Sequence, residues 1–302
     1  MAGGKKPSSL AQKTNIYDED IAMSAPYRVA LITGCSSGLG EALARECLDQ
    51  GYHVIATARR PEHISLDHPH LHKRALDLND AEHLAAMSQQ IVEEFGELAL
   101  LINNAGYGLM GPLLEVDPGK LAAQLQTNSI APLELVQNLL PMLKRGSTVV
   151  NIGSVSAHLV TPFAGSYCAS KAALHALSDA LRLELAPFGI RVMVVRAGAI
   201  RSRFADRAET ELQTPNAQSP YASLSDAIAE RARLSQKSAS DASEVARDIL
   251  AAAQRDNCPA YIGVAKGNRM LYRLSKLPAE LRDRILSRRF GLSRLSGDEL
   301  RR

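Results

Sequence analysis

Residues 27–40 read YRVALITGCSSGLG: an apolar run that passes without a break into a glycine-rich turn, and then into a stretch of helical period at 38–51. The run is β-branched and apolar on both sides, as suits a strand covered by helices on two faces of a parallel sheet. The same alternation repeats down the chain. HVIAT (53–57), LALLINN (98–104), STVVNIG (147–153) and IRVMVVR (190–196) are interleaved with helical stretches at 80–95, 118–144 and 165–188. Strand–helix–strand units joined by right-handed crossovers predict an α/β protein with a single doubly wound parallel sheet, helices on both faces.

That domain spans 27–262. Residues 1–26 are polar, without apolar periodicity, and read as a flexible tail; their two lysines have no apolar core behind them, unlike a secretory signal. Residues 201–243 are thin in large apolar side chains and read as a mobile lid, with Leu224 and Ile228 at the spacing of one marginal helix. Residues 263–302 form a basic helical extension: 266–302 holds eleven Lys or Arg against four Asp or Glu, with Leu271, Leu274 and Leu277 on a weak apolar face. A solvated basic face is favoured there over contact with a membrane surface.

A length of 302 residues lies near the upper end for one core, and 46% hydrophobic with 22% charged residues excludes collagen-like, disulfide-framework and wholly disordered chains. No stretch approaches the roughly 18 apolar residues of a membrane-spanning helix. Cys35, Cys47, Cys168 and Cys258 show neither metal-ligand spacing nor a pairing pattern, which predicts no metal and a reduced, cytoplasmic setting. A net charge of +3, no Trp and 4% aromatic residues argue against nucleic acid as a partner.

Chemistry concentrates at strand ends. A glycine turn between a parallel strand and a helix lets backbone approach a pyrophosphate, and the helix N-terminus offers free N–H groups to it. A purely structural turn would read the same. The second strand ends Thr57-Ala58-Arg59-Arg60, where an acid would bind ribose hydroxyls; a guanidinium suits a 2′-phosphate instead. Two solvated arginines would look alike, but beside the glycine turn phosphate binding is favoured. Asn103-Asn104-Ala105-Gly106 is by itself a turn signal. Ser154 sits just past a buried strand, and Tyr167 and Lys171 are one turn apart on the helix 165–188. A lysine ammonium beside a phenol, whose free pKa is about 10, lowers that value toward the working range, and a serine hydroxyl can orient a carbonyl.

Taken in order, TGxxxGxG, NNAG, Asn128, Ser154 and YxxxK make residues 27–262 resemble the short-chain dehydrogenase/reductase family of Rossmann-type proteins. The finer pattern is similar to its hydroxysteroid-dehydrogenase-like branch, which includes acyl-dihydroxyacetone-phosphate reductases. The resemblance implies an oxidoreductase using NADP(H), with Tyr167 as general acid/base, Lys171 on the nicotinamide ribose, Ser154 on the substrate carbonyl and Asn128 anchoring a water in the proton relay. The cofactor would meet Gly34, Ser36, Ser37, Gly38, Leu39, Gly40, Arg59, Asp77, Leu78, Asn104, Ala105 and Gly106. Tyr167, Lys171, Gly198, Ile200 and Ser202 complete that set. Ala197 stands where the family usually has proline, which bears on how rigidly the following loop is held.

A catalytically silent dinucleotide sensor or scaffold is the alternative, and the intact Ser154, Tyr167 and Lys171 set favours an enzyme. Val155, Leu159, Val160, Phe163, Ala199 and Phe204 wall the substrate side with little polarity and predict a lipophilic ketone or alcohol; Arg201 and Arg203 are either contacts to an anionic head group or solvated. Apolar residues on more than one face of 165–188 (Ala172, Leu174, Leu177, Leu181, Leu185) predict a homodimer or homotetramer, and Pro132 predicts a kink near Asn128.

Overall fold

A computed structural model describes residues 27–234 and 239–297; the expected tail at 1–26 lies outside them. In chain order the elements are β1 (Val29–Thr33), α1 (Gly38–Asp49), β2 (His53–Ala58), β3 (Leu71–Ala75), α2 (Ala81–Glu94), β4 (Leu98–Asn103) and α3 (Pro118–Leu125). A π-helical turn at Gln126–Ile130 follows, then α4 (Ala131–Asn138), β5 (Leu143–Ile152), α5 (Gly165–Leu185), β6 (Arg191–Ala197), α6 (Phe204–Thr210) and α7 (Ser225–Arg233). The chain closes with α8 (Ala242–Ala253), β7 (Tyr261–Val264), α9 (Asn268–Leu274) and α10 (Ala279–Arg289).

Seven strands form one parallel sheet in the order β3-β2-β1-β4-β5-β6-β7. Strand periodicity splits the core in two. Ala30, Ile32, Val54 and Val150 face α1 and α8, while Val29, Leu31, Ile55 and Val149 face α2, α4 and the end of α5. Strand order reverses between β1 and β4, so their carboxyl ends splay into the crevice where open α/β sheets take ligands.

The expected sheet is present, with two edge strands that periodicity does not show. The β3 run LHKRA is only half-buried and polar, and β7 is four residues long. β7 also carries the domain two residues past the boundary drawn at 262.

The helix expected over 118–144 is broken: α4 stops at Asn138 and Leu143 already begins β5. Its irregularity at Asn128 is the π turn, which runs on in helical backbone into α4 and lies just before Pro132, where the continuous helix lacks a donor.

The lid is better anchored than its composition suggests. Leu224 and Ile228 are buried with Leu159, Phe163, Leu286 and Phe290 in a separate apolar cluster, so α10 of the basic extension packs on α7. Burying each such side chain contributes about 1.5–3 kcal/mol.

Candidate active site

The glycine turn joins β1 to α1. Gly38 has φ +61° and lies against Ser202, where an added Cβ would come 2.6 Å from the Ser202 Cβ. Gly40 faces the Gly34 carbonyl and the Asn104 amide so closely that no side chain fits. Ser37 caps α1 without a side-chain bond to the helix's first N–H groups, which leaves them for an anion. Thr33 braces the opposite strand end: its Oγ1 accepts from the N–H groups of Asn104 and Ala105, both at 3.0 Å, and Asn104 Nδ2 donates to the Thr33 carbonyl at 2.8 Å.

A cleft of about 580 Å³ opens over this turn, within the range of a cofactor site. Of the residues expected at a dinucleotide, Gly34, Ser36, Ser37, Leu39, Gly40, Arg59, Asp77, Leu78, Asn104, Ala105, Gly106 and Ser202 line it. Gly38, Gly198, Ile200, Tyr167 and Lys171, also expected there, are not among the residues that line it. The open helix end and the exposed Arg59 suit a phosphorylated dinucleotide.

Ala197 in place of proline does not leave the loop after β6 slack. Gly198 N donates to the Val264 carbonyl, Ala199 N to Lys266, and Arg201 N to Ser240, at 2.9–3.0 Å. These bonds reach strand β7 and the start of α8, elements the sequence reading assigns no such role.

One face of α5 carries Tyr167, Lys171 and His175 at i, i+4 and i+8. Lys171 is buried, its Nζ donates to the Ile152 carbonyl at 2.7 Å, and burial lowers its pKa to about 8. The Tyr167 phenol is not lowered as expected. Burial pushes it up to about 12, against a smaller pull from its hydrogen bond with Ser154 and from the Arg231 charge. Desolvation dominates, and Lys171, held by the Ile152 carbonyl, is not among the groups that lower the phenol.

Ser154 is buried beyond the end of β5, where its Oγ accepts from Ser156 N at 3.1 Å. Its own N–H donates to His175 Nε2 at 3.3 Å. Burial, with the His158 and Lys171 charges, takes His175 down to about 3, so the ring is a neutral acceptor at any working pH. Nothing in the spacing YxxxKxxxH identifies that role without the fold.

Asn128 sits in the π turn, and its amide is fully engaged: Nδ2 donates to the Tyr107 carbonyl and to Ser170 Oγ, both at 2.9 Å, and Oδ1 accepts from Tyr107 N at 3.1 Å. The side chain therefore ties the turn to α5.

Of the expected apolar wall Phe204 alone lines the cleft, and Leu159 and Phe163 pack in the cluster with Leu224 and Ile228. Val155, Leu159 and Phe163 are buried, and the Phe204 ring stands 5.4 Å from the Tyr167 ring, edge-on. Ala199 is half-buried in the loop after β6. Val160 lies outside the wall at 61% exposed, because the loop turns Leu159 inward and its neighbour out. Neither Arg201 nor Arg203 points at Tyr167: Arg201 is exposed and pairs with Asp241 at 3.8 Å, and Arg203 reaches the glycine turn.

Comparison with known proteins follows this geometry. The family model described as short chain dehydrogenase matches residues 28–213. A short-chain dehydrogenase of Penicillium ochrochloron, ptmH, is 40% identical over 181 residues, covering 58% of this chain and 66% of its own length. A 3-ketodihydrosphingosine reductase of Bacteroides thetaiotaomicron is 33% identical over 182 residues, covering 59% of this chain and 66% of its own. The matches thus span about two thirds of these relatives. A short chain dehydrogenase of Burkholderia cenocepacia, solved in complex with NADP, superposes with a TM-score of 0.67 at 26% identity over 86% of this chain and 98% of that one.

Proposed function

The chain belongs to the short-chain dehydrogenase family, and from that premise we propose that it is an NADP(H)-dependent oxidoreductase interconverting a lipophilic ketone and its secondary alcohol. One observation carries the reading: Tyr167 and Lys171 share a face of α5, and the Ser154 hydroxyl meets the phenol. A sensor has no use for that set.

In the reducing direction Ser154 Oγ donates to the substrate carbonyl and fixes its oxygen beside the phenol. Tyr167 then gives its proton to that oxygen; its raised pKa keeps it protonated for the task at neutral pH. The bound dinucleotide supplies the hydride. Lys171, one helical turn from Tyr167, holds the nicotinamide ribose, and Asn128 fixes the backbone past which protons reach the site.

NADPH is preferred because Ala58 and Arg59 replace the acid that would repel a 2′-phosphate; the NADP-bound Burkholderia relative supports this. Val155, Phe163 and Phe204 favour apolar substrates, in keeping with the lipid ketone named for the Bacteroides relative. Four free cysteines suit a reduced, cytoplasmic setting. No helix among the described residues is long and apolar enough to cross a membrane.

Assembly as a homodimer or homotetramer is supported by an exposed row on α5, Ala169, Ala172, Ala176, Ala180 and Leu183. It is a different row from the leucines expected, since Leu174 and Leu185 are buried in the chain's own core.

Purified protein given NADPH and ketones of increasing apolar size, with a keto sugar as control, tests the proposal. The expected result is a kcat/KM that climbs with apolar surface. Preference for the sugar, or no NADPH oxidation, overturns it.

A further inference from the structure

Arg203 enters from the lid side, in the short connection between β6 and α6, and lines the same cleft as the glycine turn. Its Nη2 donates to the Ser36 carbonyl at 2.7 Å, a contact between residues 167 positions apart. Beside it Ser202 packs on Gly38, so lid and turn meet along one seam. Among the described residues no carboxylate lies within ion-pair distance of Arg203, although its neighbour Arg201 has Asp241.

The resting position is electrostatically awkward. A guanidinium is held by one carbonyl at the start of α1, where the helix dipole is positive and the first N–H groups have no side-chain cap. Two positive groups face the cleft from opposite sides of the seam. An anion between them satisfies both.

We propose that Arg203 is a clamp for the pyrophosphate of the dinucleotide: it leaves the Ser36 carbonyl when the cofactor enters and draws the lid onto it. The proposal rests on the dinucleotide reading above and adds a separation of duties to it. Arg59 distinguishes the phosphorylated from the unphosphorylated dinucleotide, whereas Arg203 binds the group they share. It also ties lid closure to cofactor occupancy, since the moving arginine belongs to the lid.

Calorimetric titration measures both halves without requiring turnover. NADPH, NADH and adenosine 2′-monophosphate, which lacks a pyrophosphate, are titrated into the wild type, Arg203→Met, Arg203→Lys and Arg59→Leu. Arg203→Met is expected to weaken NADPH and NADH by one common factor, about ten- to a hundredfold as for loss of a charge-assisted hydrogen bond. It leaves the monophosphate within about twofold, and Arg203→Lys recovers part of the loss because a point charge still binds phosphate. Arg59→Leu weakens NADPH and the monophosphate and spares NADH. Unchanged dinucleotide binding in Arg203→Met, or a loss confined to NADPH, overturns the clamp while leaving the oxidoreductase reading intact. A wild type that binds neither dinucleotide overturns both.

Discussion

On the α5 side of the cleft the groups proposed to react are set in buried structure: Lys171 on a strand carbonyl, Ser154 on His175, Asn128 on Tyr107 and Ser170. On the lid side Arg203 holds to Ser36, Arg201 to Asp241, and Arg233 to Glu209 at 3.0 Å by single exposed contacts, whereas Arg231 is half-buried and donates to Thr161 Oγ1 at 3.0 Å. The difference separates two demands. Proton transfer needs groups fixed to fractions of an ångström, and burial provides that while shifting their pKa values. Admission and release need contacts weak enough to exchange, which surface ion pairs worth about 0–1 kcal/mol supply.

The contrast is tested most severely at Tyr167. Tyr167→Phe removes the proton donor and keeps the ring packed, so kcat should fall about 10²–10⁴-fold with NADPH affinity within about twofold. Near-normal turnover would mean the chemistry lies elsewhere. A second, smaller effect follows from the buried phenol. With its pKa at about 12, the phenolate needed to accept a proton from an alcohol grows about tenfold per pH unit through neutrality. Alcohol oxidation should therefore rise nearly a hundredfold in kcat/KM between about pH 6 and 8, while ketone reduction, which uses the abundant phenol, stays flat. A plateau in oxidation within that window would show that the phenol is not held up by burial in the working complex.

At the cleft rim the expected effect is about tenfold. Ala58→Asp with Arg59→Leu should weaken or reverse the NADPH preference, read as the ratio of kcat/KM for the two cofactors. Equal use of both cofactors by the unaltered protein would remove the premise. The smallest effect belongs to the lid. Ile228→Ala opens the cluster under α7 and should raise the substrate KM severalfold with kcat within about twofold, since no reacting group moves. A kcat loss matching that of the α5 variants would erase the distinction between the two sides.

The two sides were not equally legible in the sequence. Strands apolar on both faces, a glycine turn and a tyrosine one turn before a lysine are local patterns, and each has a physical reason to recur at fixed spacing. They located the sheet and the helix face that Tyr167 and Lys171 share. The expectation that Lys171 would lower the phenol failed because spacing along a helix carries no information about burial. β3 was invisible as an edge strand with half-buried, polar residues; Pro132 signals an irregularity near Asn128 but not its π-helical form, because one extra residue in a helix leaves the apolar pattern almost unchanged. His175 and Arg203 depend on partners 21 and 167 residues away, and no single segment announces such a pairing.

The packing of Leu286 and Phe290 against Leu224 and Ile228 ties the far carboxyl region to the segment proposed to cover the substrate. Through Leu286 and Phe290, α10 is the surface against which α7 rests. Sequence drift there is expected to change how long a substrate is retained more than whether it can react. Within one lineage such drift offers a route to new substrates that leaves the inherited chemistry untouched, and grafting α10 between relatives would carry part of the selectivity with it.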